Sequence, residues 1–176
     1  MREDLAQIAE TLLDYAENGK TFQTDKITTV PSGVYTDADL WQKEMDAVFK
    51  KLPLALAASA ELPEPGSYKA MEAVGLPILI TRDKDGQAHA FLNVCAHRGA
   101  PVADEGCGHK SRFTCKYHGW TYTNDGKLMG VAEAHTFGDI DKSTRGLTAL
   151  PCEEKSGLIF VTLTPGAEMD IDGFLD

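Results

Sequence analysis

Two mixed pairs of metal-ligating residues set the terms for this chain: Cys95-Ala96-His97 and Cys115-Lys116-Tyr117-His118. Each couples a soft thiolate with an imidazole, and residues 98–114, rich in glycine, separate them. Both pairs border strand patterns. Cys95 follows "AFLNV", and Cys115 lies in "FTCKYHGW", just ahead of an Asn124-Asp125-Gly126 turn. Two loops of this kind, brought tip to tip, present four ligands around one site. The intervening stretch is long enough to carry the chain across a neighbouring hairpin.

One occupant of such a site is zinc held by two Cys and two His. Zinc sites usually pair like with like, however, and a single-residue spacer is short for two ligands of one tetrahedral ion. The other occupant is a two-iron cluster, one iron taking both thiolates and the other both imidazoles. With mixed pairs, each loop reaches both irons. Replacing two thiolates by neutral imidazoles lifts the potential of a [2Fe–2S] centre from about −400 mV to roughly −150 to +300 mV.

The rest of the chain is consistent with a protein that uses such a site. Its 176 residues suit one domain with an appended segment. A net charge of −10 argues against a nucleic-acid partner. No apolar run reaches membrane-span length, and the acidic start lacks the features of a signal peptide, so a cytoplasmic location is expected. In that setting four cysteines are thiols or ligands rather than disulfides.

Leu5, Ile8, Leu12 and Leu13 predict an amphipathic first helix stopped at Gly19, and "YTDADLWQKEMDAVFKK" predicts a second. "TFQTDKITTVPSGV" between them has no helical period and predicts an extended connector. From about Pro65 the pattern turns to strands. "LPILITR" and "QAHAFLNV" flank a DKDG turn, "FTCKYHGWTYT" and "KLMGV" flank NDG, and "LIFVTLT" has the character of a strand buried on both faces. The expected class is mostly β and antiparallel. The closing "TPGAEMDIDGFLD" has the composition of a polar linker.

The full motif, C-x-H, seventeen residues, then C-x-x-H-G-W, resembles the Rieske [2Fe–2S] domain, with Cys95, His97, Cys115 and His118 at its ligand positions. The resemblance implies one cluster and a Rieske-type β-sandwich in which two hairpin loops hold it. The respiratory branch of that family carries two further cysteines and a serine, where this chain has Ala100, Tyr117 and Trp120. Fewer hydrogen bonds to the sulfides imply a potential at the low end of the range. "NVCAHRGAPV", "SRFTCKYHGWTYTNDGKL" and residues 61–91 resemble instead the N-terminal part of ring-hydroxylating oxygenase α subunits. Lys116 and Pro53 depart from that branch, which usually has proline and an aromatic residue there.

That resemblance implies an organisation of residues 1–35 as helix and connector, 36–165 as the Rieske domain, and 166–176 as a linker stub. It implies electron transfer from a reductase or ferredoxin to a mononuclear iron in a catalytic domain of the same or a neighbouring subunit. No compact set of two histidines and a carboxylate lies outside the cluster motif, so no catalytic residue is expected in this chain. A freestanding Rieske ferredoxin and a zinc-stabilised interaction module are the alternatives. Arg98 and Trp120 directly follow ligand segments and are expected to support them, Trp120 by packing and Arg98 by orienting the loop or meeting the partner. Cys107 is expected to be a free thiol, Cys152 a buried hydrophobe, His109 a loop residue and His89 a hydrogen-bonded strand residue; His135 has no assigned partner.

Overall fold

The computed structural model describes residues 2–24 and 26–176. They form two compact units, Met1–Asp37 and Ala38–Asp176. In the first, helix α1 (Arg2–Glu17) exposes Leu5, Ile8, Leu12 and Leu13. It ends where Gly19 takes φ +61° and the Lys20 N–H donates to the Tyr15 carbonyl, the stop that the glycine predicts. The connector, apart from Asp25, which lies outside the described residues, is irregular until a tight helical turn at Ser32–Tyr35.

The second unit opens with α2 (Ala38–Glu44), which widens over Met45–Phe49 so that the Lys50 N–H reaches the Met45 carbonyl. Eleven strands follow among the described residues: β1 Leu54–Ala58, β2 Ser67–Ala73, β3 Leu76–Arg82, β4 Ala88–Leu92, β5 Gly106–His109, β6 Arg112–Thr114, β7 Thr121–Thr123, β8 Leu128–Gly130, β9 Ala149–Leu150, β10 Cys152–Lys155 and β11 Leu158–Val161. All pairings are antiparallel, in three sheets ordered β1-β11-β10, β5-β2-β3-β4-β9 and β6-β7-β8. The mostly β, antiparallel class and the N-terminal helix are as expected. Among the described residues, no helix is long and apolar enough to cross a membrane.

The five-stranded sheet divides the core. On β3, Ile78 and Ile80 face one way and pack with Ala57, Leu150, Ile159 and Val161. Leu79, between them, faces the other way and packs with Phe91, Phe113, Trp120 and Tyr122. The period of two along a strand puts apolar side chains on both faces, and each fully buried Ile or Leu contributes roughly 1.5–3 kcal/mol. β11 buries Ile159, Phe160 and Val161 in succession, as its sequence predicts. The stretch with linker composition instead carries a short helix, α3 (Ile171–Leu175), capped by the Asp170 side chain, with Ile171 buried.

The NDG turn between β7 and β8 fastens the small sheet to the large one. Thr81 of β3 donates to the Asn124 carbonyl at 2.6 Å, the Asn124 amide donates to the Lys110 carbonyl, and the Leu147 N–H donates to the Gly126 carbonyl. Gly126 has φ +77°, and a Cβ there would sit 2.3 Å from the Phe91 ring. Phe91 is locked in the core, so the ring cannot retreat. Gly126→Ala is expected to cost about 3 kcal/mol, from left-handed backbone strain and overpacking together. Urea denaturation measures it, and a loss below ~1 kcal/mol would show that the turn is not seated against Phe91.

Candidate metal centre

The two ligand loops have the same backbone bonding. In the first, the Cys95 N–H donates to the Ala100 carbonyl at 2.8 Å and the Gly99 N–H to the Cys95 carbonyl at 3.0 Å. In the second, the Cys115 N–H donates to the Trp120 carbonyl at 2.8 Å and the Gly119 N–H to the Cys115 carbonyl at 3.0 Å. Gly99 (φ +79°) and Gly119 (φ +67°) each stand four residues after their cysteine, in the left-handed region that closes the turn. The first loop leaves β4, whereas the second joins β6 to β7. "FTCKYHGWTYT" is therefore a hairpin with the ligands in its loop, not one strand.

This geometry brings the four sequence-predicted residues together. Cys95 and Cys115 are 3% and 2% exposed, inside the core shared by both sheets. His97 and His118 lie at its margin, partly exposed, with ring centroids 4.6 Å apart. Trp120 is buried and lies flat on His97 at 5.0 Å and 9°, while Phe137 meets the same ring edge-on at 5.2 Å. Arg98 is exposed beside them. His89, His109 and Cys107 lie elsewhere. His89 bonds Asp83 at 2.8 Å, His109 bonds the Pro65 carbonyl at 2.8 Å, and Cys107 is an exposed thiol on β5.

The residues present fit a metal cluster. His118 Nδ1 is buried with no hydrogen-bond partner, an arrangement that is costly unless a metal takes the lone pair. Burial, with help from His118 and Arg98, holds His97 below the ordinary histidine pKa, so its ring is neutral and able to ligate. Among the described residues no three His, Cys, Asp or Glu side chains gather about a single ion; a two-iron cluster asks for pairs, not for a triad.

A Rieske [2Fe–2S] domain model matches residues 53–143. The chain belongs to the Rieske [2Fe–2S] domain family. Such a domain carries one [2Fe–2S] cluster. Over 152 residues the chain is 32% identical to the anthranilate 1,2-dioxygenase large subunit of Acinetobacter baylyi, covering 86% of this chain and 32% of that one. Over 175 residues it is 33% identical to a Pseudomonas putida benzene 1,2-dioxygenase subunit alpha, covering 96% and 39%. The structure of naphthalene 1,2-dioxygenase from Rhodococcus sp. superposes with a TM-score of 0.74 at 34% identity, covering 82% of this chain and 33% of that chain. The apo form of the quaternary ammonium Rieske monooxygenase CntA also gives 0.74, at 33% identity, covering 83% and 43%. The chain thus spans about a third to two fifths of the length of these relatives.

Two site residues, Tyr122 and Asn93, were not singled out from the sequence. The Tyr122 hydroxyl, fully buried on β7, accepts from the Ala96 N–H at 3.0 Å and lies 3.2 Å from Cys95 Sγ, to which it can donate. Burial and the neighbouring sulfur push its pKa up, so it stays protonated. Alternation running from Trp120 into β7 places Trp120 and Tyr122 inward, a signal present in "GWTYT". Asn93 gives no such signal. Buried just before Cys95, its side-chain oxygen accepts from the Val102 and Ala103 N–H groups at 3.0 Å each, and its amide donates to the Ala103 carbonyl at 2.8 Å. It closes the base of the first loop. Lys116, the positive charge on the second loop, meets Asp104 of the first at 2.6 Å, across the site.

Asn93→Ala would leave two buried N–H groups and a carbonyl unpaired, at a cost of about 2–4 kcal/mol. The expected result is a lower urea midpoint with an unchanged m-value. A midpoint within error of the unaltered protein would mean that water replaces the side chain there.

Proposed function

We propose that this chain is the electron-transfer part of a cytoplasmic ring-hydroxylating oxygenase, receiving electrons from a reductase or ferredoxin and passing them to a mononuclear iron in a catalytic domain of the same or a neighbouring subunit. Cys95 and Cys115 hold one iron and His97 and His118 the other. When bound, the cluster supplies a one-electron store at a potential above that of all-cysteine centres. The observation that carries this reading is the division of burial across the site: both cysteines are inside the core, and both histidines reach its margin. The protein around the thiolates excludes water, while the imidazoles give a short route to the surface.

The relatives support a role that does not depend on substrate. Proteins named for anthranilate, benzene and carnitine share this same region, which fits delivery of electrons better than recognition of what is oxidised. Trp120 lies flat against the His97 ring and covers one of its faces. The Tyr122 hydroxyl donates to the Cys95 sulfur and stabilises the negative charge that an added electron brings. All four cysteines are unpaired, as a reducing compartment allows.

The dithionite-reduced protein is expected to give an anisotropic EPR signal whose average g lies distinctly below that of an all-cysteine [2Fe–2S] centre. A colourless, EPR-silent protein with stoichiometric zinc would sink this reading. Tyr122→Phe removes one hydrogen bond to sulfur, worth about 0.5–1.5 kcal/mol, so the midpoint potential should fall by roughly 20–60 mV. An unchanged potential would show that the hydroxyl serves only the Ala96 N–H.

A further inference from the structure

We propose that the indole N–H of Trp120 donates a hydrogen bond to a sulfide of the bound cluster and so raises the cluster's affinity for an electron. This rests on the electron-transfer reading above and gives one residue a part in setting the potential.

The first observation is a pair of orphaned polar atoms. His118 Nδ1 and Trp120 Nε1, two positions apart in the chain, are both buried without a hydrogen-bond partner among the described residues. One is a lone pair in need of a Lewis acid, and the other is a donor in need of an acceptor. A buried N–H left unpaired is costly, and native structures rarely keep one. A zinc ion held by the same four residues takes the lone pair but brings no acceptor of its own, and neither the Cys95 nor the Cys115 sulfur accepts from this N–H. A [2Fe–2S] cluster answers both needs, because iron takes the imidazole lone pair and inorganic sulfide accepts from the indole.

The second observation is how firmly the indole is held. Trp120 is buried in the same core as Cys95 and Cys115. Its ring lies flat on His97 and meets Phe137 at 5.9 Å and 72°. Its own carbonyl accepts from the Cys115 N–H, so backbone and ring are both fixed and the N–H has one direction. The indole borders an open cavity lined by His97, Phe137 and Asp141, but Nε1 itself is sealed from solvent, so bulk water does not serve it. A donor fixed in advance needs no reorganisation when the electron arrives. Aimed at sulfide, it favours the more negative, reduced cluster. The Tyr122 hydroxyl serves a ligand sulfur; the Trp120 indole serves an inorganic one.

The test uses the full chain carrying its cluster. The sequence has two tryptophans, Trp41 and Trp120, and Trp41 is exposed on α2. In a Trp41→Phe chain, isotopic labelling of the indole nitrogen therefore marks Trp120 alone. Electron spin-echo modulation of the reduced protein is expected to show coupling to that nitrogen. Replacing Trp120 with benzothienylalanine, which keeps the shape of the ring and its stacking on His97, removes the N–H. The equilibrium constant for reduction is expected to fall about fivefold, or roughly 40 mV at about 59 mV per decade. A residue that only packs would leave the potential of this isostere at the unaltered value. An unchanged potential, or no coupling to the labelled nitrogen, overturns the proposal. Should the isostere fail to hold a cluster, the labelled Trp41→Phe protein still decides. Absence of a Rieske EPR signal in the unaltered protein would instead overturn the electron-transfer reading itself, so the two failures are distinguishable.

Discussion

The site depends on one buried hydroxyl. Each ligand loop closes on itself through its own backbone bonds, but the loops belong to different sheets, and closure alone does not place one against the other. Tyr122 does. It is anchored on β7, at the foot of the second loop, and its oxygen lies against the Ala96 N–H and the Cys95 sulfur of the first. The aromatic ring is at the same time part of the core beneath both cysteines. Core packing and the polarity around the Cys95 sulfur therefore meet in a single side chain.

Other contacts make this placement stiff. The NDG turn is held by Thr81, Lys110 and Leu147 and seated on Phe91, so the small sheet cannot slide over the large one. Asn93 holds the far side of the first loop with three hydrogen bonds. Such support matters for electron transfer in particular, because ligands that move little between oxidation states cost little to reorganise. The strength of the framework lies in neutral hydrogen bonds and burial, and the cross-loop Lys116–Asp104 pair, exposed on both sides, is screened by solvent and adds little.

Much of this was legible in the sequence because the features concerned are local. The spacing of the candidate ligands, the DKDG and NDG turns, and the strand runs that flank them all depend on neighbours within a few positions. The equivalence of the loops was also written there, as a glycine four residues after each cysteine, although only the structure makes its purpose plain. Asn93 could not be read in this way, since its partners lie nine and ten residues on and an asparagine before a loop has many ordinary uses. The helix at Ile171–Leu175 was hidden for a related reason. Its sequence is short, acidic and contains Gly173, and it is a single buried isoleucine and an aspartate cap, rather than helical propensity, that hold it.

Two identical loop closures nevertheless produce two unlike histidines, and the difference arises from a one-residue offset. In the first loop the imidazole stands two positions after the cysteine, with an exposed arginine next; in the second it stands three after, with an exposed tyrosine before it. The same backbone turn therefore carries Arg98 and Tyr117 outward while both rings turn to the metal site. Trp120, the sixth residue of the second loop, is then free to lie on His97, the candidate ligand of the first. The covering of one ring and the exposure beside the other follow from this register and need no separate structural device.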